Sequence, residues 1–378
     1  MALACVLGSV DLVRPLHLAG IRCVAVAPPE SSVHNSRFVE ASVEWADPWT
    51  AGGRLVDNLI RFAQTCAEPP VLFYEEDRDL LLVSRERNRL AKYFRFVIPE
   101  AALVEDLVDK SRFDGLAKRL GLPMPRSRAL VPLPAMPPDD LDLDFPVILK
   151  PLTRRGLDRW GPLTLGKALR VETPERLSQL WPLLTQNGLD LIVQELVAGP
   201  ETNIESYHAY IDRSGGVVGE FTGRKIRTMP PEYGFSTAVE ITRNGDLAEI
   251  GRELVGRLGL RGVTKLDFKR SQGNEFVLFE VNPRFSLWHH PGALAGVNLP
   301  ALVYADLTGR PRPRITAVRP GVRWFDARHD AFAAREHGLP LWRWLPWALA
   351  TDTLAWNDPM PFIGSVVGRY KLRSRLRT

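Results

Sequence analysis

Residues 263–285, with the sequence VTKLDFKRSQGNEFVLFEVNPRF, carry the side chains with the clearest capacity for chemistry. Asp267, Glu280 and Asn282 all offer oxygen donors. Two carboxylates and an amide suit Mg²⁺, which usually keeps several waters and takes further ligands from phosphate groups. Arg284 follows closely, and its planar guanidinium can bind a phosphate through two hydrogen bonds. These residue types together predict a site for a divalent ion and a phosphate.

A β-hairpin would bring these side chains together. VTKLDF and EFVLFEV are apolar runs with charged residues at alternating positions, and SQGN between them is typical of a turn. Residues two apart on a strand share a face, so Glu280 and Asn282 point the same way and Asp267 can lie opposite them. Acidic hairpins are often simply solvated, but an unpaired carboxylate inside such apolar runs would be unfavourable. We therefore predict a metal site on the hairpin.

The composition is that of an ordinary globular protein. The chain has 378 residues, 45% of them hydrophobic and 25% charged, and no apolar run approaches the roughly 20 residues of a membrane-spanning helix. The start, MALACVLGSVDLVRP, lacks the basic region of a secretory signal, and Cys5, Cys23 and Cys66 have no paired spacing. We expect reduced cysteines that serve packing and a cytoplasmic location. The net charge of +5 favours anionic ligands without indicating nucleic-acid binding.

The N-terminal part predicts a small parallel α/β domain. Three short apolar runs, the last being VLFYEED at residues 71–77, have the character of buried strands, and a helical pattern separates the first two. Neither GxGxxG nor GxxxxGK[ST] occurs, which disfavours the common nucleotide-binding loops. Parallel sheets place ligands at the carboxyl ends of their strands, so Arg37, Glu76 and Asp77 are candidates for substrate binding. A solvated loop is an equally good interpretation.

The middle of the chain predicts further strands and helices. FPVILKP contains Lys150 at its end, LIVQELVAGPE runs into a Gly-Pro turn, and IESYHAYI, GVVGEFTGRKI and STAVEIT predict an antiparallel sheet. A helix over residues 111–120, directly after Lys110, ends at a glycine, and an amphipathic helix over residues 246–258 precedes the hairpin. Residues 131–144, rich in proline and aspartate, predict a linker.

Taken in order, these features resemble the ATP-grasp superfamily, specifically its carboxylate–amine ligase branch. The chain looks most like the predicted ATP-grasp carboligases related to biotin carboxylase and the large chain of carbamoyl-phosphate synthetase, over residues 7–300. The resemblance implies an α/β plus α+β architecture: a Rossmann-like pre-ATP-grasp domain, the two-lobed ATP-grasp fold and a C-terminal extension. We assign these parts, with the small lobe before the large lobe, to residues 1–105, 106–196, 197–318 and 319–378.

The resemblance also implies a set of nucleotide contacts. Lys110 of an Asp-Lys pair and Lys150 of a Lys-Pro pair correspond to lysines that bind the phosphates, and Glu201 of Gly-Pro-Glu corresponds to the acid that binds the ribose. The adenine-binding hinge corresponds to Gln194, Glu195, Leu196 and Val197. The Glu-x-Asn-Pro-Arg signature is present at residues 280–284, with Asp267 as the other metal ligand. The implied cofactors are ATP and Mg²⁺ or Mn²⁺.

Other segments depart from the family pattern. Where relatives commonly carry a glycine-rich loop over the phosphates, this chain has TRRGLDRWGPLTLGK, in which Lys167 resembles a lysine of the carboligase branch. Arginines could cover the phosphates there, or the loop could contact substrate. Lys265 stands two residues before the aspartate ligand, where some relatives have arginine. Arg224, Lys225 and Arg227 resemble a phosphate- or carboxylate-binding segment, with a solvated strand as the alternative.

The reaction implied by the resemblance is activation of a small-molecule carboxylate by ATP. Transfer of the γ-phosphoryl group gives an acyl phosphate, which an amine attacks to form an amide or peptide-like bond. We expect Arg284 to steady the transferred group, with Lys265 and Lys225 as further catalytic cations. The alternatives are a non-amine acceptor and a nucleotide-binding regulatory protein without turnover. His289 and His290 could contact the acceptor, but packing is the preferred interpretation.

The C-terminal region differs in character from the rest. Trp342, Trp344, Trp347 and Trp356 lie among several prolines, and the chain ends in RYKLRSRLRT, without an acidic residue. These residues could give weak contact with an anionic membrane or a lipid-linked substrate. Extra packing on the nucleotide-binding part, followed by a loose tail, is the preferred interpretation. A homodimer is left open.

Overall fold

Three β-sheets organise the computed structural model, which describes residues 1–131, 141–152, 159–161, 163–164, 166–326 and 328–364. Much of the predicted linker, much of the TRRGLDRWGPLTLGK loop and the basic end of the chain lie outside these ranges. Within them, no helix has both the length and the apolar character needed to cross a membrane.

The N-terminal sheet is parallel. Its strands are β1 (Ala4–Leu7), β2 (Cys23–Val26), β3 (Val39–Ser42) and β4 (Val71–Tyr74), in the order β3-β2-β1-β4. The accompanying helices are α1 (Val10–Leu18), α2 (Pro48–Gln64), α3 (Asp77–Arg85) and α4 (Arg87–Leu90). The three predicted strands form, and β3 was missed because this short edge strand is mostly exposed and has no apolar run. Cys5 and Cys23 are buried as free thiols, which agrees with a packing role.

The second sheet is antiparallel and follows two helices. The helices are α5 (Ala101–Val108) and α6 (Lys110–Leu120), and the strands are β5 (Ser127–Leu130), β6 (Val147–Pro151), β7 (Leu169–Val171) and β8 (Leu191–Glu195). The strand order is β5-β8-β6-β7, and α7 (Pro174–Asn187) covers the sheet. Trp181 of α7 packs with Val147, Val171 and Val193 in one buried cluster. The predicted strand FPVILKP thus becomes β6, with Lys150 near its end.

The largest sheet has six strands in the order β13-β12-β9-β10-β11-β14. The strands are β9 (Ile204–Ile211), β10 (Val217–Met229), β11 (Phe235–Thr242), β12 (Gly262–Arg270), β13 (Phe276–Asn282) and β14 (Arg323–Phe325). The helices are α8 (Gly245–Arg257), α9 (His289–Leu294), α10 (Leu299–Thr308), α11 (Asp330–Glu336) and α12 (Leu341–Leu349). Helix α8 approaches the sheet closely at Gly251, where a Cβ atom would lie 2.3 Å from the ring of Tyr207.

One hydrophobic core joins the N-terminal sheet to the loop after β13. Val6 and Phe73 of the parallel sheet belong to the same buried cluster as Phe285 and Trp288, and the rings of Phe73 and Phe285 lie 5.1 Å apart. Burial of large aromatic side chains is strongly favourable, so this core fixes the loop against the N-terminal sheet.

Helix α6, which begins with Lys110, packs on the largest sheet. Phe113 and Leu116 share a buried cluster with Tyr207 and Leu254, although the predicted boundaries assign this helix to the small lobe. Strand β14 likewise extends the largest sheet beyond residue 318. The domain boundaries stay predictions, and the shared cores explain why sequence alone gives no sharp division.

Candidate active site

The predicted hairpin forms as β12 and β13. In the pairing of β12 with β13, Asp267 lies opposite Glu280 and Lys265 lies opposite Asn282. Directly paired residues point to the same side of a sheet, as do residues two apart on one strand, so these four side chains share one face. A bulge follows Asp267 directly. Bulges commonly redirect side chains next to active sites.

Strand β9 completes the surroundings of Asp267. Ser206 pairs with Asp267 across the two strands, and its hydroxyl donates a hydrogen bond to Oδ1 of the carboxylate. The Nζ atom of Lys265 lies 2.5 Å from Oδ2, and Asp267 is only 6% exposed. A buried carboxylate requires such partners because it has lost its contact with water. In this structure the ammonium group of Lys265 provides the compensating charge.

The donor set fits a hard divalent cation. Asp267 and Glu280 offer carboxylates, and Asn282 offers an amide oxygen that accepts a hydrogen bond of 3.3 Å from Nη2 of Arg284. In the ranges that the structure describes, no three His, Cys, Asp or Glu side chains converge as a group able to hold a metal. Two carboxylates and an amide leave positions for water and phosphate oxygens, which is the usual arrangement for Mg²⁺.

The ammonium group of Lys150 lies near both lysine and acidic side chains. Its Nζ atom is 5.3 Å from the ring centre of Phe279, the neighbour of Glu280 on β13. Burial and the nearby charge of Lys110 lower the pKa of Lys150 to about 8. The negative charges of Glu280 and Glu201 oppose this and raise the pKa of Lys150. Lys150 therefore lies within electrostatic reach of Lys110, Glu201 and Glu280.

Lys110 is positioned by the start of helix α6. Asp109 caps the helix, and its carboxylate accepts hydrogen bonds from the N–H groups of Ser111 and Arg112. The Nζ atom of Lys110 donates to the carbonyl of Leu152 at 3.3 Å, just beyond β6. The aspartate of the Asp-Lys pair thus serves the helix, and the lysine follows it at the helix N-terminus, where anions are favoured.

The lowered pKa of Lys150 predicts a pH dependence of nucleotide binding. Phosphate contact favours the ammonium form, so we expect ATP-analogue affinity to be greatest below about pH 8 and to weaken above it, by up to about tenfold per pH unit. Titration calorimetry with a non-hydrolysable analogue between about pH 7 and pH 9.5 would measure this. The Lys150→Arg variant, whose guanidinium stays charged, should show a flatter profile. If the affinity of the native protein and that of the Lys150→Arg variant changed equally with pH, this would contradict the assignment of Lys150 to the phosphate site.

The predicted adenine hinge leaves the small sheet at the end of β8. The four hinge residues are Gln194 and Glu195, which end β8, and Leu196 and Val197, which follow it. The N–H groups of Glu195 and Leu196 donate to the carbonyls of Arg126 and Pro146. Nη2 of Arg126 lies 2.6 Å from the Glu195 carboxylate, and Oε1 of Gln194 accepts a hydrogen bond of 2.9 Å from Lys150. These contacts hold the hinge rigidly on the sheet and link it to the phosphate-site lysine.

A cavity of about 370 Å³ lies beside the hinge. Its lining includes Leu196, Glu201, Lys225, Tyr233 and Lys269. A volume of this size is at the lower end of the range for small-molecule sites, and apolar walls with a few charged groups are typical of them. Glu201, predicted to bind ribose, and Lys225, predicted to be catalytic, therefore both reach this cavity.

Lys269 is a cavity residue that the sequence analysis missed. Its Nζ atom lies 3.8 Å from Oε1 of Glu201, the residue is 3% exposed, and burial lowers its pKa. Strand alternation could have found it, because Lys269 is two residues after Asp267 and so shares its face.

Arg284 is clamped between the hairpin and the N-terminal sheet. Its Nε atom donates to Oδ1 of Asp77, and Nη1 donates to the carbonyl of Glu75 at 2.7 Å. Arg284 and Asp77 are 11% and 12% exposed in their side chains. The structure thus brings together two predicted residues separated by more than 200 positions. This ion pair connects the metal hairpin to the carboxyl end of β4.

Glu75 is a second residue that sequence analysis missed. Its carboxylate accepts hydrogen bonds from the N–H of Ser9 at 2.6 Å and from the Ser9 hydroxyl at 3.1 Å. Burial, with the charge of Asp11, raises the pKa of Glu75 to about 7, and the Ser9 bonds oppose this rise. The sequence signal was the position of Glu75 at the carboxyl end of a parallel strand. Of the acids at that position, only Glu76 and Asp77 were considered.

Several buried polar atoms beyond the metal residues have no hydrogen-bond partner among the described residues. They are Nδ1 and Nε2 of His208, Oγ of Ser286, Nε2 of His289 and Nδ1 of His290. The last lies 3.7 Å from Asp11, outside hydrogen-bond distance. The ring of Trp288 packs over Gly223 of β10. A Cβ atom added to this glycine would lie 2.3 Å from the tryptophan ring. Both predicted histidines are buried, as packing residues are, but their free polar atoms adjoin the site.

The cationic cluster predicted on β10 is divided by the fold. Arg224 lies on the opposite side of the strand from Lys225 and is paired with Glu240 at 2.8 Å. Arg227 is buried in a two-point ion pair with Asp330, with contacts of 2.9 and 2.5 Å. Carboxylates thus pair with both guanidinium groups, as Asp77 does with Arg284, and Arg227 also lines the cavity beside the hinge. The substrate-binding roles of Arg224 and Arg227 stay predictions.

Arg37 and Lys167 each contact an aromatic ring. The guanidinium of Arg37 is 5.5 Å from the ring centre of Phe38, and the backbone N–H of Arg37 donates to Oδ1 of Asp358 in the C-terminal segment. The substrate role of Arg37 stays a prediction. The Nζ atom of Lys167 lies 4.4 Å from the ring centre of Phe235. Most of the loop before Lys167 lies outside the described residues.

Comparison with known proteins gives a consistent result. Residues 190–328 match the model of a family described as "ATP-grasp in the biosynthetic pathway with Ter operon". D-aspartate ligase of Enterococcus faecium (strain Aus0004) is 24% identical over 235 residues, which cover 60% of this chain and 55% of that protein. The chain thus spans about half the length of this curated relative.

Solved structures show the same fold. The L-amino acid ligase from Bacillus licheniformis superposes with a TM-score of 0.62 at 14% identity, covering 84% of this chain and 77% of that one. Biotin carboxylase from Campylobacter jejuni gives a TM-score of 0.62 at 15% identity, covering 85% and 74%. The predicted resemblance to the ATP-grasp superfamily and its carboxylate–amine ligases is confirmed.

Proposed function

We propose that this ATP-grasp protein is an ATP-dependent ligase that activates a carboxylate as an acyl phosphate and joins it to an amine, releasing ADP and phosphate. One observation carries the proposal: the hairpin acids Asp267 and Glu280 lie opposite each other, and Glu280 and Lys110 are both close enough to Lys150 to act on its pKa. Such an arrangement matches phosphates with a divalent ion beside them. We place the reaction in the cytoplasm, which three free cysteine thiols support.

The nucleotide would bind between the small lobe and the largest sheet. Its base would lie against the hinge and in the cavity beside it, with the ribose near Glu201 and the phosphates toward Lys110 and Lys150. The hairpin acids and Asn282 would hold Mg²⁺ or Mn²⁺, which would supply positive charge against the phosphates. The hydrogen bond from Lys150 to Gln194 would couple the phosphate site to the hinge.

Two displacements make up the proposed reaction. An oxygen of the acid attacks the γ-phosphorus, the bond to the bridging oxygen breaks, and ADP leaves with that electron pair. The amine then attacks the acyl carbon, phosphate leaves, and the amine loses a proton to solvent or phosphate. Arg284 and Lys265 would stabilise negative charge on the transferred group, since both hold fixed positive charge near the metal residues. No nucleophilic side chain is needed.

We place the acid and the amine at the junction between the N-terminal sheet and the hairpin. Arg284 is clamped there by Asp77, and Glu75 lies at the same edge. The partnerless polar atoms of His208 and Ser286 support this placement, because polar groups of a substrate could satisfy them. The identity of the substrates is a question for screening.

An ADP-release screen over amino acids, uronic acids and small amines tests the proposed function. We expect Mg²⁺-dependent release that requires one acid and one amine together, with the Glu280→Gln variant as the blank. Release that depends on a thiol or on bicarbonate in place of the amine would indicate a different acceptor. ATP binding without ADP release for any pair would favour a regulatory protein.

A further inference from the structure

The C-terminal part of the described chain is unusually rich in exposed apolar side chains. Of the 15 large hydrophobic residues exposed in the described ranges, nine follow residue 330. They are Phe332, Leu341, Trp342, Leu345, Leu349, Trp356, Met360, Phe362 and Ile363. Surfaces that face only water rarely group apolar side chains in this way, so the grouping marks a contact site.

Helix α12 has one packed side and one bare side. On the packed side, the ring centre of Trp347 lies 6.1 Å from that of Phe325 and 4.1 Å from Cζ of Arg227. The side chains on the bare side, which are between 50% and 70% exposed, are Leu341, Trp342, Leu345 and Leu349. At the helical repeat these four residues fall within about 100° of the circumference and form one stripe. We call this stripe the α12 face.

Positive charge accompanies the α12 face. Arg343 is exposed, and its Cζ atom lies 4.7 Å from the ring centre of Trp342. Nearby acids are already neutralised, since Asp330 and Asp352 are paired with arginines. From residue 341 to the end, the sequence contains six basic and two acidic residues, and five of the basic ones follow residue 364, outside the described residues. The C-terminal sequence is therefore apolar and cationic together.

We propose that the α12 face binds the surface of a membrane that contains anionic phospholipid, with the helix lying in the plane of the interface. Tryptophan and leucine on one side of a helix, next to arginine, are the features of interfacial helices. A second copy of the chain is a poorer occupant, because it would bring the same positive charge against itself. This inference does not depend on the proposed ligase activity.

The shortness of α12 makes the charge essential. Nine residues present too little apolar surface for firm binding by themselves, so the cationic residues must contribute a second, electrostatic attraction. Binding should therefore require anionic lipid and weaken at high salt, because salt screens charges at a surface. A purely apolar surface would show neither dependence.

Vesicle co-sedimentation of the full-length protein tests the proposal. We expect the native protein to bind vesicles containing phosphatidylglycerol and to bind phosphatidylcholine vesicles far less. The Trp342→Ser/Leu345→Ser variant should bind at least about tenfold more weakly, and Arg343→Gln about fivefold more weakly. Leu183→Ser removes a comparably exposed leucine from α7 and should bind like the native protein. Circular dichroism and thermal melting would verify that the variants are folded.

Two results would overturn the proposal. One is vesicle binding that does not depend on the α12 face, seen either as no native binding to the anionic vesicles or as equal binding of the Trp342→Ser/Leu345→Ser and Leu183→Ser variants. The other is a loss of self-association, measured by light scattering, in the Trp342→Ser/Leu345→Ser variant without any change in vesicle binding. That second result would assign the α12 face to a contact between copies of the chain.

Discussion

Replacement of Glu280 by glutamine is expected to lower the rate of ADP formation at saturating ATP at least about a hundredfold. Glu280 lies directly opposite Asp267, so the two carboxylates provide the negative charge of the predicted metal site. Glutamine keeps the size and one oxygen donor but removes a charge. Loss of a charged ligand weakens the hold on a divalent ion and its stabilisation of the phosphates, which accounts for the size of the effect.

Glu275→Gln is the matched control for this variant. Glu275 lies on the same hairpin but is exposed beside the turn, so its replacement should leave ADP formation unchanged. Added Mn²⁺ or high Mg²⁺ should partly restore the Glu280→Gln variant. Equal rates of ADP formation by the Glu280→Gln and Glu275→Gln variants at limiting Mg²⁺ would contradict the assignment of Glu280 to the metal site.

Replacement of Arg284 by glutamine is expected to lower kcat by about a thousandfold. Its guanidinium donates to the amide oxygen of Asn282 and is held by Asp77 and the carbonyl of Glu75, so its charge is fixed beside the metal residues. A fixed cation stabilises the negative charge of a transition state more than a mobile cation does, because the fixed cation does not need to reorganise. The variant should also lose about 3 kcal/mol of stability, since a mostly buried Asp77 would lose its ion pair with Arg284.

The Asp77→Asn variant tests how much of the contribution of Arg284 to kcat comes from its fixed position and how much from its charge. We expect this change to lower kcat about tenfold to a hundredfold, because the guanidinium keeps its charge but loses its strongest anchor. Introduced into Arg284→Gln, it should have little further effect on kcat, since Asp77 acts through Arg284. Asp57→Asn, which changes an exposed aspartate of α2 that is paired with Arg89, is the matched control. If Asp77→Asn lowered kcat by the same factor in the Arg284→Gln variant as in the native protein, this would show that Asp77 contacts the substrates itself.

Local patterns in the sequence are sufficient to predict the metal hairpin. Alternation of apolar and charged residues defines the two strands, and a short turn joins them, so the hairpin itself follows from nearby sequence. The bulge after Asp267, which brings Glu280 opposite it, was not predicted. The same reasoning predicts the strand that carries Lys150 and the helix that begins with Lys110. Such features depend on a few consecutive residues, and each can therefore be inferred from its own stretch of the chain.

Contacts between distant segments were decided only by the tertiary structure. Arg284 meets Asp77, and Arg227 meets Asp330, across more than 100 residues. A sequence shows which guanidinium groups exist, but the packing of sheets decides which carboxylate each one reaches. For that reason the carboxylate partners of Arg224 and Arg227 and the buried positions of Glu75 and Lys269 were not predicted.

The chain by itself therefore determined the types of its strands and helices, the resemblance to the ATP-grasp superfamily and the acids of the hairpin. The tertiary structure decided how the N-terminal sheet clamps Arg284 and which face of α12 stays bare. The physical reason is the range of the interactions involved. Strand and helix patterns reflect burial of neighbouring residues, whereas ion pairs and exposed faces depend on how whole elements pack against each other.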